Sequence, residues 1–279
     1  MLHNQTLAFV GAGSMAESII GGLLAEQLVP AGNIIVTNKS RQQRLTYLEQ
    51  RYHVKTTTNK QGALSDASII ILAMKPKHVE ESAAAIKEFI HSDHVVISVL
   101  AGVSTSYLEQ LFSNRPAVIR AMPNTSAKVG ASATALSHGY YTSAHQMELA
   151  EALFSAVGTV TILKEDKMDA VTGLSGSGPA YLYYFAEAME MAAKESGLSE
   201  TEAKELIIQT LAGAARRLKQ SEKSTKELYK EVMSPGGTTE AAFSVLKKHH
   251  VQKHFKNSIK EAIKRSKELG SITQSSSSK

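Results

Sequence analysis

The chain has 279 residues, of which 43% are hydrophobic and 20% are charged. This balance is typical of an ordinary globular protein, and the length leaves room for two domains. The absence of cysteine excludes thiol catalysis, disulfide bonds and cysteine-ligated metals. The formal net charge of +5 is spread along the chain rather than gathered in one patch, so we expect no nucleic-acid partner.

From the sequence we expect neither a targeting signal nor a membrane-spanning segment. The N-terminus lacks a basic stretch followed by a long apolar run, so we expect no signal peptide. The longest apolar run, at 67–74, is too short to cross a bilayer. The histidines are scattered without a metal-ligand spacing, so no metal site is expected. We therefore expect a cytoplasmic protein.

The first part of the chain alternates short β-branched runs with helical patterns. Helices are predicted in segments such as 14–28 and 77–90, and strands at 6–10, 33–37, 68–74, 94–100, 117–122, 131–136 and 157–163. This alternation predicts a parallel sheet covered by helices on both faces. Residues 1–163 are therefore assigned to an α/β domain.

A glycine-rich motif follows the first predicted strand and opens the first predicted helix. Gly11, Gly13 and Ala16 form the pattern G-x-G-x-x-A around Ser14 and Met15. The first glycine allows a tight turn, the second lets the backbone approach a pyrophosphate, and the alanine lets the helix pack closely on the sheet. The motif predicts a dinucleotide site in a doubly wound, Rossmann-like domain.

The loop after the second predicted strand is expected to select the cofactor. NAD-binding domains usually place a carboxylate there. This chain has Asn38, Lys39, Ser40 and Arg41 instead, a basic loop that suits the 2′-phosphate of NADPH. NADPH is therefore expected, with NADH as the alternative. Arg44 either joins this phosphate site or is an ordinary residue of a solvated helix start.

Loops at other strand ends are expected to line the same crevice, because ligands of such sheets bind beyond the carboxyl ends of the strands. Asn124 is expected to bond the nicotinamide amide or the substrate, and Lys75 is either a cofactor contact or an exposed lysine. The candidate cofactor residues in these loops are Ala73, Met74, Lys75, Pro76, Ala101, Gly102 and Asn124.

The chain becomes almost continuously helical beyond the last predicted strand. Residues 164–270 are assigned to an all-helical domain, and the polar residues 271–279 to a disordered tail. Capping boxes are predicted for two of its helices, with the residue pairs Ser199 and Glu202, and Ser224 and Glu227.

One break interrupts the helical domain. The segment SPGG at 234–237 is unfavourable inside a helix, and Thr238 is expected to begin a new one. A helix start carries unpaired N–H groups and a positive dipole end, so it can receive an anion. A second small-residue stretch, GLSGSGPAY at 173–181, is explained equally well by tight helix packing at a subunit interface and by direct substrate contact, for which Ser177 is the candidate.

Six ordered motifs make the chain resemble the pyrroline-5-carboxylate reductase family. They cover nearly its whole length and read GAGSMAESIIGGL, LAMKP, SVLAGV, RAMPNTSAKVGASATAL, VTGLSGSGPAYLYYFAEAM and SPGGTTEAA. The resemblance implies reduction of L-1-pyrroline-5-carboxylate to L-proline by NAD(P)H, the last step of proline biosynthesis. It also implies a homodimer formed through the helical domain, which in some members assembles further.

The resemblance implies roles for individual residues. The N–H groups of residues 236–238 would bind the substrate carboxylate, and the hydroxyl of the catalytic Thr239 would face the ring nitrogen. Asn59 would contact the cofactor. The candidate substrate residues are Ser177, Glu222, Gly236, Gly237, Thr238 and Thr239.

Two other functions fit parts of the pattern. A hydroxyacid or imine reductase would share the architecture, but hydroxyacid enzymes typically carry a lysine motif on an interdomain helix that this chain lacks. An inactive NADP-binding regulator would not need to keep Gly236, Gly237 and Thr239. Reduction of a protonated cyclic imine needs neither a covalent nucleophile nor a metal, so positioning is the main task of the protein.

Overall fold

The computed structural model describes residues 1–275, and the side chains of residues 1–270. The chain forms two compact units. The first comprises Met1–Pro179 together with the segment that starts at Glu261, and the second comprises Ala180–Lys260. No helix in the described part of the chain is both long and apolar enough to cross a membrane.

Within the described residues, the first unit contains an eight-stranded sheet with the order β3-β2-β1-β4-β5-β6-β7-β8. The strands are β1 Leu7–Val10, β2 Ile34–Thr37, β3 Lys55–Thr57, β4 Ile69–Leu72, β5 Val95–Ser98, β6 Ala117–Met122, β7 Ser132–His138 and β8 Gly158–Ile162. Neighbouring strands are parallel except β6 and β7, which are antiparallel. The strand order reverses between β1 and β4, which is where dinucleotide sites form in such sheets.

Helices cover both faces of this sheet, as the sequence predicts. Leu7 and Phe9 of β1 lie in one buried cluster, whereas Ala8 and Val10 lie in the other, because successive strand residues point to opposite faces. The helices of this unit are α1 Ser14–Ala25, α2 Gln42–Tyr52, α3 Lys60–Ser65, α4 Val79–Ala84, α5 Thr105–Leu111, α6 Ala144–Ser155 and α7 Met168–Val171. The doubly wound α/β fold is confirmed.

The first unit extends past the end of β8, beyond the predicted domain boundary at 163. Glu165 and Asp169 form ion pairs of 3.6 and 3.2 Å with Arg120 of β6, whose side chain is buried. Asp169 also accepts a hydrogen bond of 2.8 Å from Ser266. A buried cation needs such partners, so the segment around α7 packs with the sheet and belongs to the first unit.

The rest of the described chain is helical, with α8 Gly178–Glu195, α9 Glu200–Gln220, α10 Thr225–Glu231, α11 Thr238–Lys248 and α12 Val251–Ser275. Both predicted capping boxes are present, at the starts of α9 and α10. The last helix includes residues 271–275, although the sequence predicts a disordered tail from residue 271. The helical geometry continues through the polar residues there. Residues 276–279 of that predicted tail lie outside the described residues.

Candidate active site

The turn between β1 and α1 is built from direct backbone contacts. Gly11 has a φ of +117°, which side chains rarely allow. A Cβ atom at this position would lie 2.6 Å from the carbonyl carbon of Ala73 and 2.8 Å from the nitrogen of Met74. Ala16, in the first turn of α1, is fully buried. The predicted glycine-rich turn therefore contacts the loop after β4, so two of the predicted cofactor segments meet here.

The N-terminus of α1 has the features of an anion site. Gly13 precedes the helix and provides no side-chain cap, so the first N–H groups of α1 keep their capacity to bind a ligand. Among the described residues other than its chain neighbours, a Cβ atom at Gly13 would have only the oxygen of Ala73 within 4 Å, at 3.8 Å. Ser14 is exposed beside it and Met15 is half-buried. This arrangement fits the pyrophosphate of a dinucleotide.

The loop after β2 is held by its own asparagine. The Asn38 side-chain oxygen accepts hydrogen bonds of 3.2 Å from the N–H groups of Ser40 and Arg41. The Arg41 side chain is exposed, and Lys39 forms an ion pair with Glu81 of α4. The loop therefore presents two cations beyond the carboxyl end of β2, which fits a 2′-phosphate.

Arg44 has a structural task that the sequence does not show. Its Nε donates a hydrogen bond of 2.8 Å to the carbonyl of Ala12, and its terminal nitrogen pairs with Glu17. Burial raises the pKa of Glu17, but the hydrogen bond and charge of Arg44, with the hydroxyls of Tyr47 and Tyr52, outweigh it and leave that pKa lowered. Arg44 thus supports the glycine-rich turn, and neither alternative from the sequence describes it.

The remaining predicted cofactor residues differ in how free their side chains are. The Asn59 oxygen accepts a hydrogen bond of 3.3 Å from the N–H of Gly62 and so caps α3. Lys75 is exposed, just before a 3-10 turn that begins at Pro76. Gly102 has a φ of +76°, and a Cβ atom there would lie 3.0 Å from the nitrogen of Gly270 on α12. The glycine in the loop at 101–102 is therefore required by packing on α12.

Asn124 is buried and bonded on both sides of its amide. Its oxygen accepts a hydrogen bond of 3.0 Å from the N–H of Ser126, and its Nδ2 donates one of 3.0 Å to the carbonyl of Ser175. Its own N–H donates to the Ser132 hydroxyl. Asn124 therefore joins the loop after β6 to the segment after α7, and one amide hydrogen remains for the predicted ligand contact.

The small-residue stretch after α7 packs tightly against α12. A Cβ atom at Gly173 would lie 2.8 Å from the nitrogen of Ile263. Ser177 directs its hydroxyl to the carbonyl of Thr172 at 3.2 Å, at the end of a π-helical turn over Thr172–Gly176. Such turns often mark functional sites. The contact of Gly173 lies within one chain, so packing at a subunit interface and substrate contact at Ser177 both stay predictions.

The predicted carboxylate-binding loop lies in the second unit. Gly236 has a φ of +72°, and α11 begins at Thr238 as predicted. The N–H of Gly237 donates a hydrogen bond of 2.9 Å to the carbonyl of Ser234. The N–H of Gly236 donates one of 2.7 Å to the Glu240 carboxylate. Two of the three N–H groups predicted to bind the substrate therefore have partners within the chain, because the tight turn and Glu240 use them.

A cavity of about 300 Å³ adjoins this loop. Its lining includes Met233, Gly236, Gly237, Glu240, Phe243 and Lys247. The volume is near the lower end of the range for small-molecule sites. Thr239 is half-buried at the start of α11, and Glu222 is exposed in the loop between α9 and α10. No sequence motif marks Glu240 as a site residue, because glutamate in the first turn of a helix, as here in α11, is common.

Comparison with known proteins gives matches along almost the whole chain. The family described as pyrroline-5-carboxylate reductase dimerisation matches residues 165–269, and the family described as NADP oxidoreductase coenzyme F420-dependent matches residues 6–102. Pyrroline-5-carboxylate reductase 1 of Bacillus subtilis is 42% identical over 96% of this chain and 91% of its own length.

Two solved structures share the fold. A pyrroline-5-carboxylate reductase from Coxiella burnetii superposes with a TM-score of 0.86 at 35% identity, covering 96% of this chain and 99% of the other. The Plasmodium falciparum pyrroline carboxylate reductase with NADP bound has a TM-score of 0.89 at 25% identity, covering 97% of this chain and 100% of the other. With its glycine-rich turn, its SPGG helix start and these relatives, the chain belongs to the pyrroline-5-carboxylate reductase family.

Proposed function

We propose that this protein reduces L-1-pyrroline-5-carboxylate to L-proline with NADPH, NADH being the alternative donor. The observation that carries the proposal is the SPGG helix start beside a cavity, in a chain 42% identical to a named reductase over nearly its full length. The reaction is the last step of proline biosynthesis, and we propose that it takes place in the cytoplasm.

The first unit would hold the cofactor, which supplies a hydride when bound. The N–H groups at the start of α1 suit the pyrophosphate, because they lie at the positive end of the helix dipole and Gly13 adds no side chain. Lys39 and Arg41 suit the 2′-phosphate. Asn38 holds the loop that carries them, since its side-chain oxygen accepts hydrogen bonds from the N–H groups of Ser40 and Arg41.

The second unit would bind the substrate through its carboxylate. The N–H of Thr238 would receive one carboxylate oxygen, and the N–H of Gly236 would receive the other after leaving Glu240. Thr239, one position further into α11, would direct its hydroxyl to the ring nitrogen and hold or relay a proton there. Because the protonated imine is already electrophilic, alignment of the imine carbon is the main catalytic contribution of the chain.

We also propose that the protein is a homodimer through its helical domain. The helix α8 exposes apolar side chains, with Tyr183 65% and Tyr184 71% accessible and Met191 61% accessible. Apolar surface of this extent on one helix favours a protein partner. With a chain of 30.1 kDa, light scattering in solution distinguishes the dimer from a higher oligomer of dimers.

The function is tested by following NADPH absorbance in the presence of pyrroline-5-carboxylate. We expect turnover by the wild type and a large loss of kcat in Thr239→Val, which removes the hydroxyl and keeps the branched shape. Thr238→Val is the matched control, because Thr238 is assigned a role through its N–H group alone. Absence of turnover by the folded wild type with both NADPH and NADH would refute the proposed function.

A further inference from the structure

A carboxylate from another part of the fold lies against the cofactor-selecting loop. Lys39 in the loop after β2 pairs with Glu81 in the first turn of α4, 42 residues later in the chain. His78 Nδ1 lies 3.8 Å from the other oxygen of Glu81. The hydrogen bond and charge of Lys39, and to a lesser degree the charges of His78 and Lys60, lower the pKa of Glu81. The Glu81 carboxylate thus lies close to several basic side chains.

The position of Glu81 changes the interpretation of the loop. The sequence of the loop contains no carboxylate, which by itself favours NADPH. The structure supplies one from α4, immediately after the loop that holds Lys75 and Pro76. One of the two cations that suit a 2′-phosphate, Lys39, is therefore already paired.

We propose that Glu81 limits the preference for NADPH by competing with the 2′-phosphate for Lys39. The inference rests on the proposed function only in taking NADPH and NADH as the cofactors. Lys39 must leave Glu81 before it can bind the phosphate. NADH has no 2′-phosphate, so its binding does not require Lys39 to be released.

The size of the effect follows from the exposure of the pair. The Lys39 side chain is 72% accessible and that of Glu81 is 57% accessible. Exposed ion pairs are weak, so releasing Lys39 should change NADPH affinity by about three- to fivefold. The change should shrink as ionic strength rises, since salt screens exposed charges.

The test measures equilibrium binding by isothermal titration calorimetry, without substrate. NADPH and NADH are titrated into the wild type, Glu81→Gln, Lys39→Ala and the double variant. Glu88→Gln is the matched control, because it removes one exposed carboxylate that pairs with Lys87 instead. The ligand 2′,5′-ADP, compared with 5′-AMP, isolates the contribution of the phosphate.

We expect Glu81→Gln to bind NADPH and 2′,5′-ADP about three- to fivefold more tightly, with NADH changed by less than about twofold. In the Lys39→Ala background the same substitution should have no effect, and Glu88→Gln should match the wild type. Unchanged NADPH binding in Glu81→Gln, or an effect that persists without Lys39, would overturn the proposal. A wild type that binds both cofactors but does not turn over substrate would refute the proposed function alone.

Discussion

The two glycines of the turn between β1 and α1 provide the sharpest test of the cofactor site. In Gly11→Ala, the added Cβ would lie 2.6 Å from the carbonyl carbon and oxygen of Ala73. These are backbone atoms, so they cannot move away as a flexible side chain would. The φ of +117° is also unfavourable for alanine. In Gly13→Ala, the nearest such atom is 3.8 Å away, an ordinary contact.

The expected loss of stability follows from these geometries. For Gly11→Ala, the strained backbone costs about 1–3 kcal/mol and the overlap about 1–3 kcal/mol more. The free energy of unfolding should therefore fall by about 2–6 kcal/mol, a large part of the usual total. For Gly13→Ala, alanine is a poorer N-cap than glycine, and the loss should be about 1 kcal/mol. Both substitutions should weaken cofactor binding.

Equilibrium urea unfolding and NADPH titration distinguish these outcomes. Gly11→Ala should lower both the unfolding midpoint and the affinity for NADPH. Gly13→Ala should lower the midpoint much less and still lose affinity, since its methyl group would stand at the N-terminus of α1, where the pyrophosphate is proposed to bind. Equal midpoints for the two variants would refute the assignment of separate roles to the two glycines.

Three further results are expected. Glu240→Gln should lower the KM for pyrroline-5-carboxylate by about threefold with kcat kept, because a neutral amide competes less with the substrate carboxylate for the loop N–H; a higher KM would contradict this. Burial lowers the pKa of His94 below 6.5, so the folded state binds fewer protons, and the urea midpoint should fall as pH drops below that value; His94→Asn should flatten this dependence. Arg120→Met should cost about 1–3 kcal/mol of unfolding free energy in thermal or urea unfolding, because Glu165 and Asp169 would lose their cationic partner but keep their hydrogen bonds from Thr105 and Ser266.

Local sequence signals were sufficient for much of the fold. The turn at Gly11 and the start of α11 at Thr238 were predicted because glycine and proline act through the backbone of their own segment. The strand β3 was missed, since Lys55–Thr57 is short and polar. The antiparallel pairing of β6 with β7 was also missed, because pairing direction depends on how the connection folds back and not on strand composition.

Local sequence patterns could not reveal the contacts between residues that are far apart in the chain. Arg44 reaches Ala12, 32 residues away, and Lys39 reaches Glu81, 42 residues away. No periodicity or motif connects such positions before the strand order is known. Asn124 is a related case, because its residue type predicts a ligand contact but does not reveal that its amide also bonds Ser126 and Ser175.

The two units share one electrostatic arrangement. In each, a glutamate in the first turn of a helix pairs with a group that the proposed anionic ligand would use. Glu81 forms an ion pair with Lys39, and Glu240 accepts a hydrogen bond from the N–H of Gly236. Ligand binding then replaces the glutamate carboxylate by the anionic group of the ligand. The affinity therefore reflects the interaction with the ligand minus the interaction with the glutamate. It follows that removing a carboxylate at these places should tighten binding. Removing a carboxylate that contacts the ligand directly would instead weaken ligand binding. The sign of the change in affinity in Glu81→Gln and Glu240→Gln therefore distinguishes the two cases.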